Sequence, residues 1–396
     1  VLLNSDKALE VIIGIFASVA IAFFFGVIVM WISRVVFTFN YKKHSRYSIA
    51  IFGGIAFTAL SYFILMKGLG KSPYLPAEWR DYISDNIGML LVVTFVVSAI
   101  VMEFLHLCRV NIFKFTVLMG TFGLAMAFAG NDLVNFIGVP LAGLSSYQDY
   151  MANANGAAPD AFMMTSLMES AKTAPVFLLI AGAIMIVAMA TSKKAQNVIK
   201  TSVDLSRQDE GDEMFGSSSA ARVIVRNCQN ADSWLNHFLP QGLKNWINSR
   251  FNKNDVELEE SAAFDVVRAA VNLVLASMLI TIGTNLKLPL STTYVTFMVA
   301  MGSSLADRAW SRESAVFRVT GVLSVIGGWF ITAGVAFFAC AVVCLAMHFG
   351  GIVVQSAFIA LVIFMLIRSN IQYNKKQKEV SRGSTFQLMM RSRDPE

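Results

Sequence analysis

The sequence predicts an all-α fold, a polytopic transmembrane helix bundle with two broken or re-entrant membrane segments. Three observations predict it. Of the 396 residues, 56% are hydrophobic and only 15% are charged, whereas a soluble domain carries about 25% charged residues. The apolar residues gather in blocks near the 20 or so that cross a hydrocarbon core of about 30 Å. The blocks also lack the strict alternation of a barrel strand, so in lipid only a helix satisfies their backbone hydrogen bonds internally.

Taken in order, the clear apolar blocks run Leu9 to Ile32, Ser48 to Met66, Ile87 to Leu107, Phe115 to Ala129, Val176 to Ala190, Phe264 to Gly283, Val319 to Met347 and Ile352 to Ile367. Two further stretches, Asn131 to Leu144 and Leu286 to Leu305, suit membrane depth but are interrupted by glycine, proline and hydroxyl residues. Interrupted membrane segments are where transporters place their ligands. The expected organisation is a first membrane region over 1–192, a polar cytoplasmic loop over 193–261, a second membrane region over 262–368 and a basic cytoplasmic tail over 369–396. Within the loop, Asp209, Glu210, Asp212 and Glu213 lack the spacing of a calcium loop and read as a solvated linker.

The net charge of +6 comes from basic residues beside span ends, which points to orientation in a membrane and not to nucleic acid. Arg34, Lys42, Lys43 and Arg46 follow the first block; Arg109 and Lys114 follow the third; Arg308, Arg312 and Arg318 precede Val319; Arg368 and six more follow the last block. The alternate connections are poorer in Lys and Arg. The basic set is therefore expected inside, with the chain start outside and the C-terminus cytoplasmic, in a multi-pass protein of the cell (inner) membrane. This parity is met if Leu286 to Leu305 crosses and returns the chain inward. Cys108, Cys228, Cys340 and Cys344 form no metal-spaced cluster with histidine. No nucleophile and base pair stands out either, so neither an enzyme nor a bound cofactor is expected.

The strongest local signal is AFAGNDLVNFIGVPLAG, Ala127 to Gly143. Asp132 is a carboxylate at the end of an apolar helix, costly at membrane depth unless paired or wet. One reading is a helix that ends at Gly130 and Asn131, with Asp132 reaching the aqueous interface. The other is an unwound point at which Asn131, Asp132 and Asn135 gather oxygen ligands for a hard cation such as Na⁺.

The second signal is LPLSTTYVTFMVAMGSS, Leu288 to Ser304. Ser291, Thr292 and Thr293 cap the helix that follows, and the same hydroxyls at a helix N-terminus make an anion site. Gly302, Ser303 and Ser304 read first as close helix packing. Lys287 reads as a snorkelling span end. Asp265, Arg268 and Asn272 share one helix face and read as an interfacial helix start, with a substrate role as the alternative. Glu103, His106 and Arg109 form a second interfacial cluster.

These two stretches resemble the paired signatures of the PiT inorganic phosphate transporter family. GNDLVN, Gly130 to Asn135, is similar to the family's Gly-Ala-Asn-Asp-Val-Ala-Asn motif, and PLSTTYV, Pro289 to Val295, to its Pro-Xaa-Ser-Thr-Thr motif. Leu133 and Phe136 are bulkier than the family's usual small residues. The family carries each motif twice, in two inverted repeats, so the resemblance implies half of an inverted-repeat transporter with the first repeat upstream of Val1. It implies cation-coupled symport of inorganic phosphate with Na⁺ or H⁺. It further implies that Asn131 and Asp132 contribute to a cation and phosphate centre and that Ser291, Thr292 and Thr293 coordinate phosphate; within that centre the residues themselves lead us to expect Ser291, Thr292, Thr293 and Asn131 on phosphate, and Asp132, Asn131 and Asn135 on the cation, with Asp132 the sodium ligand if Na⁺ is coupled. Expected partners are inorganic phosphate, the coupling ion and the lipid bilayer, with no nucleic acid; a homo-oligomer is left open. Alternative functions are transport of another oxyanion such as sulfate, or a non-transporting membrane anchor or receptor that acts through its cytoplasmic loop.

Overall fold

The computed structural model describes residues 5–39, 46–63, 76–158, 161–163, 174–192, 218–219, 222–223, 226, 240–251, 265–286, 288, 290–307 and 312–391. Among these the regular structure is helical throughout: α1 Ser5–Phe37, α2 Arg46–Ser61, α3 Ala77–Asp85, α4 Ile87–Leu107, α5 Ile112–Phe128, a π turn Ala129–Leu133, α6 Val134–Asn153, α7 Pro175–Thr191, α8 Gln241–Arg250, α9 Val266–Asn285, α10 Thr292–Ala306 and α11 Arg312–Arg391. Five stretches are long and apolar enough to cross a membrane: Leu9–Phe37, Ile87–Leu107, Ile112–Asn153, Val266–Asn285 and Ile331–Lys375. Tyr47–Ser61 and Pro175–Thr191 are shorter apolar helices. The loop acids Asp209, Glu210, Asp212 and Glu213 lie outside the described residues.

The chain divides into two compact units, Val1–Arg318 and Val319–Glu396. The second contains most of α11, whose helical geometry is interrupted at Gly351 with φ of 54°. A left-handed backbone of that kind suits glycine, which has no Cβ to clash. The interruption falls between the two apolar blocks expected there. Residues 369–391, within the expected tail, are helical.

In the first unit, α1, α2, α4, α5 and α9 bury a common core that includes Met30, Phe37, Ile49, Ala50, Met102, Ile112, Phe113, Val267, Ala270 and Val271. Phe37 meets Phe113 and Phe52 edge to face, with ring centroids 5.2 and 5.4 Å apart. This is the favoured geometry for opposed quadrupoles.

Close backbone approach sets the helix order. A Cβ at Gly26 would stand 2.6 Å from the Val299 carbonyl oxygen, and one at Gly302 would strike the Phe23 carbonyl. Only glycine lets α1 and α10 cross at that distance. The two helices run parallel, since eight residues beyond Gly26 and Val299 their ends meet again at Arg34 and Asp307. A Cβ at Gly120 would fall 2.8 Å from the Leu273 side chain, with Phe113 and Val267 in one cluster, so α5 runs parallel to α9. The Ser98 hydroxyl donates to the Gly54 carbonyl at 3.2 Å, while Met102 lies beside Gly53, so α2 and α4 are antiparallel.

These directions bring the ends of α1, α4 and α10 and the starts of α2, α5 and α9 to one end of the unit. Arg34, Arg109 and Lys114 all lie at that end. The α9–α10 pair rises from this end and returns to it. The opposite end of α10 lies about 22 Å away, at 1.5 Å per residue over 15 residues.

Candidate functional site

The site begins where α5 runs into α6. No chain break occurs there: Ala129–Leu133 form a single π turn and the helix continues to Asn153. The sequence reading of an unwound point is replaced by a bulge, which inserts a residue into the helix and re-aims the side chains at that level. Pro140, inside α6, further removes the N–H that would bond the Phe136 carbonyl. The bulge carries Asn131, which is buried, and Asp132, which is half-buried.

Opposite the bulge, α9 ends at Asn285 and α10 starts at Thr292. Thr292 is buried, and its hydroxyl lies 3.0 and 2.9 Å from the two carboxylate oxygens of Asp132, to which it donates. The Asn131 amide nitrogen donates to Asp132 Oδ1 at 3.0 Å and to the Leu290 carbonyl at 3.4 Å. Leu290 is itself buried and rests on Gly283 of α9. The two signature stretches, separated by about 160 residues of chain, thus form one hydrogen-bonded cluster.

Electrostatics favour the pairing. The first N–H groups of a helix lack intrahelical acceptors and carry the positive end of the helix dipole. Asp132 places its negative charge at that end of α10. Ser291 is the N-cap residue, but its side chain makes no capping hydrogen bond; its carbonyl accepts from Tyr294 and Val295. Thr293 is exposed. Of the three expected hydroxyls, the structure brings Thr292 to the carboxylate, leaves Ser291 at the rim and turns Thr293 outward. Asn135 has a helical backbone in α6, while its side chain, together with Lys287 and Pro289, lies outside the described residues.

The oxygen set at this point is Asp132 Oδ1 and Oδ2, Thr292 Oγ1 and the Leu290 carbonyl. Turning the Asn131 amide over would add its oxygen to the same set. Hard oxygen donors of this kind suit a small cation. Among the described residues no group of three or more His, Cys, Asp or Glu side chains is placed to hold a metal ion.

A second polar cluster occupies the other end of α10. Arg34 is fully buried, donates from Nε to Asp307 Oδ1 and from NH2 to Asp307 Oδ2, both at 2.5 Å, and reaches Asp265 Oδ2 at 3.1 Å. Its NH1 donates to the Thr38 carbonyl at 2.8 Å, and its guanidinium lies 4.0 Å from the centroid of Phe39. Arg268 NH1 stands 3.8 Å from Asp307 Oδ2. Asp265 caps α9 by accepting from the Arg268 backbone N–H at 2.8 Å. The sequence marked Asp265 and Arg268 as an interfacial helix start and used Arg34 only for orientation. It missed Asp307, whose signal was a lone acid closing the apolar stretch that begins at Thr292.

Comparison of the chain with protein-family models, with curated proteins and with solved structures finds no match. Fold and apolar helix lengths define the class: an all-helical protein with several helices built to cross a membrane, the mark of a multi-pass membrane protein.

Proposed function

We propose that the protein is a secondary active transporter that moves inorganic phosphate together with a cation, Na⁺ or H⁺. One observation carries the reading: Asp132, in a π turn of one membrane helix, takes the Thr292 hydroxyl at the N-terminus of another. The resemblance of both stretches to the PiT signatures supports the choice of phosphate, and the family's inverted repeats support an alternating-access cycle.

This reading has a coupling mechanism. Asp132 occupies the positive end of α10 and takes the Thr292 proton donor, both of which an anionic substrate needs. A carboxylate left bare there would also repel phosphate strongly where water is scarce. A cation held by Asp132, the Thr292 oxygen and the Leu290 carbonyl cancels that charge. The Thr292 O–H then turns from the carboxylate toward the substrate, beside the open N–H groups of the helix start. Each ligand raises the affinity of the other by the same free energy.

The test is uptake of labelled phosphate into vesicles holding the complete gene product, with Na⁺ and pH gradients imposed separately. Concentrative uptake driven by one gradient and lost with it is the expected result. Uptake of sulfate in preference to phosphate, or no gradient-driven uptake at all, would refute it.

A further inference from the structure

The Arg34, Asp265, Arg268 and Asp307 cluster is an expensive way to hold helices together. Desolvating two arginines and two carboxylates costs several kcal/mol per ion, and well-packed apolar side chains do as well or better. The cluster joins the end of α1, the start of α9 and the end of α10, closing the unit at the end opposite Asp132. One turn behind it on α9 lies Asn272. Its side chain is buried, at 6% exposure, and among the described residues neither its amide nitrogen nor its oxygen has a hydrogen-bond partner. A buried amide with four unmet hydrogen-bond positions is costly in a static structure. On α10, Thr292, Thr296, Ser303 and Asp307 recur at helical spacing along one face, and that face ends on Arg34 and Arg268.

We infer that this four-residue ion cluster is the closed exit gate of the path from the Asp132 and Thr292 site, and that Asn272 is the first polar group behind it. The inference rests on the transport reading above. Parting α10 from α1 and α9 at Asp307 opens a route lined by Asn272 and Ser303, and supplies the solvent or ligand contacts that Asn272 lacks in the closed state. Ion pairs suit such a gate because their charges are rehydrated when it opens, so open and closed states can lie close in energy.

The experiment uses the full chain in oriented membranes, with Cys108, Cys228, Cys340 and Cys344 replaced by serine. Asn272→Cys is treated with a charged, membrane-impermeant thiol reagent from each side in turn, with and without Asp307→Asn. Slow modification is expected with Asp307 present, and at least tenfold faster modification with Asp307→Asn, from the side on which α9 begins. Val271→Cys serves as the folding control, since Val271 is equally buried but belongs to the core shared with α5; it should stay protected in both backgrounds. The gate is overturned if position 272 remains protected in both, if the reagent reaches it only from the opposite side, or if positions 271 and 272 are exposed together. Phosphate uptake by the protein with native Asn272 is measured separately. Its absence would sink the transport reading, whereas a failed accessibility pattern alongside normal uptake would sink only the gate.

Discussion

The Thr292 hydroxyl sits 3.0 and 2.9 Å from the two carboxylate oxygens of Asp132, which ties the start of α10 to the bulged turn between α5 and α6. Asp132 needs donors, and Thr292 stands where a helix offers them.

Substituting Asp132 by asparagine keeps the shape and deletes the charge. Uptake measured against cation concentration should lose its dependence on the driving gradient, with apparent cation affinity down at least tenfold, even where some phosphate still binds. Normal cation affinity and normal concentrative uptake in Asp132→Asn would return Asp132 to a structural helix position.

Thr292 separates the hydroxyl from the side-chain volume. Thr292→Val removes the donor and leaves most of the packing, while Thr292→Ser restores the donor. A hydrogen bond to a charged group is worth about 1.5–3 kcal/mol, so Thr292→Val should weaken phosphate binding by roughly ten- to a hundredfold, and Thr292→Ser by much less. Thr293→Val, at an exposed position, should fall between them and wild type. Equal loss in the valine and serine variants would show that the methyl, not the hydroxyl, matters.

How much of this was legible in the sequence follows from the range of the physics. Apolar blocks near membrane length predicted α1, α4, α5, α7 and α9 because burial in lipid is a local, additive property of the chain. The two signature stretches were visible as polar atoms in apolar surroundings. Their contact was not, since no spacing rule links Asp132 to Thr292 across 160 residues. Gly130 and Asn131 looked like a helix end because both favour that position, yet the helix continued through a π turn, which sequence preferences do not distinguish. Arg34 read as an orientation signal for the same reason: charge near a span end is common, and only the fold brings Asp265 and Asp307 to it.

The α1–α10 crossing gives a stability prediction independent of function. Any side chain at Gly302 would meet the Phe23 carbonyl, a backbone atom that cannot rotate away. Gly302→Val should force the helices apart and cost on the order of 1–3 kcal/mol, the usual price of overpacking, read as a lower midpoint of thermal unfolding in detergent. Gly182, with open space where a Cβ would stand, is the comparison: Gly182→Ala should leave the midpoint unchanged. A neutral Gly302→Val would mean that the two helices are not packed this closely.

The ion cluster at the far end of α10 predicts an asymmetry between one substitution and two. Arg34→Met leaves Asp265 and Asp307 facing a single positive charge, that of Arg268, so one carboxylate remains buried and uncompensated. Breaking a buried pair in this way costs about 3–5 kcal/mol. Adding Asp307→Leu removes the unmatched charge and leaves Asp265 with Arg268, a neutral remainder filled by apolar side chains. The double variant should therefore be more stable than the single one, although it lacks more of the native contacts. The measurement is the unfolding midpoint of wild type, Arg34→Met, Asp307→Leu and the double variant in the same detergent. If the two single losses simply add, Arg34 and Asp307 act independently, and the contact between them contributes nothing to holding α1 against α10.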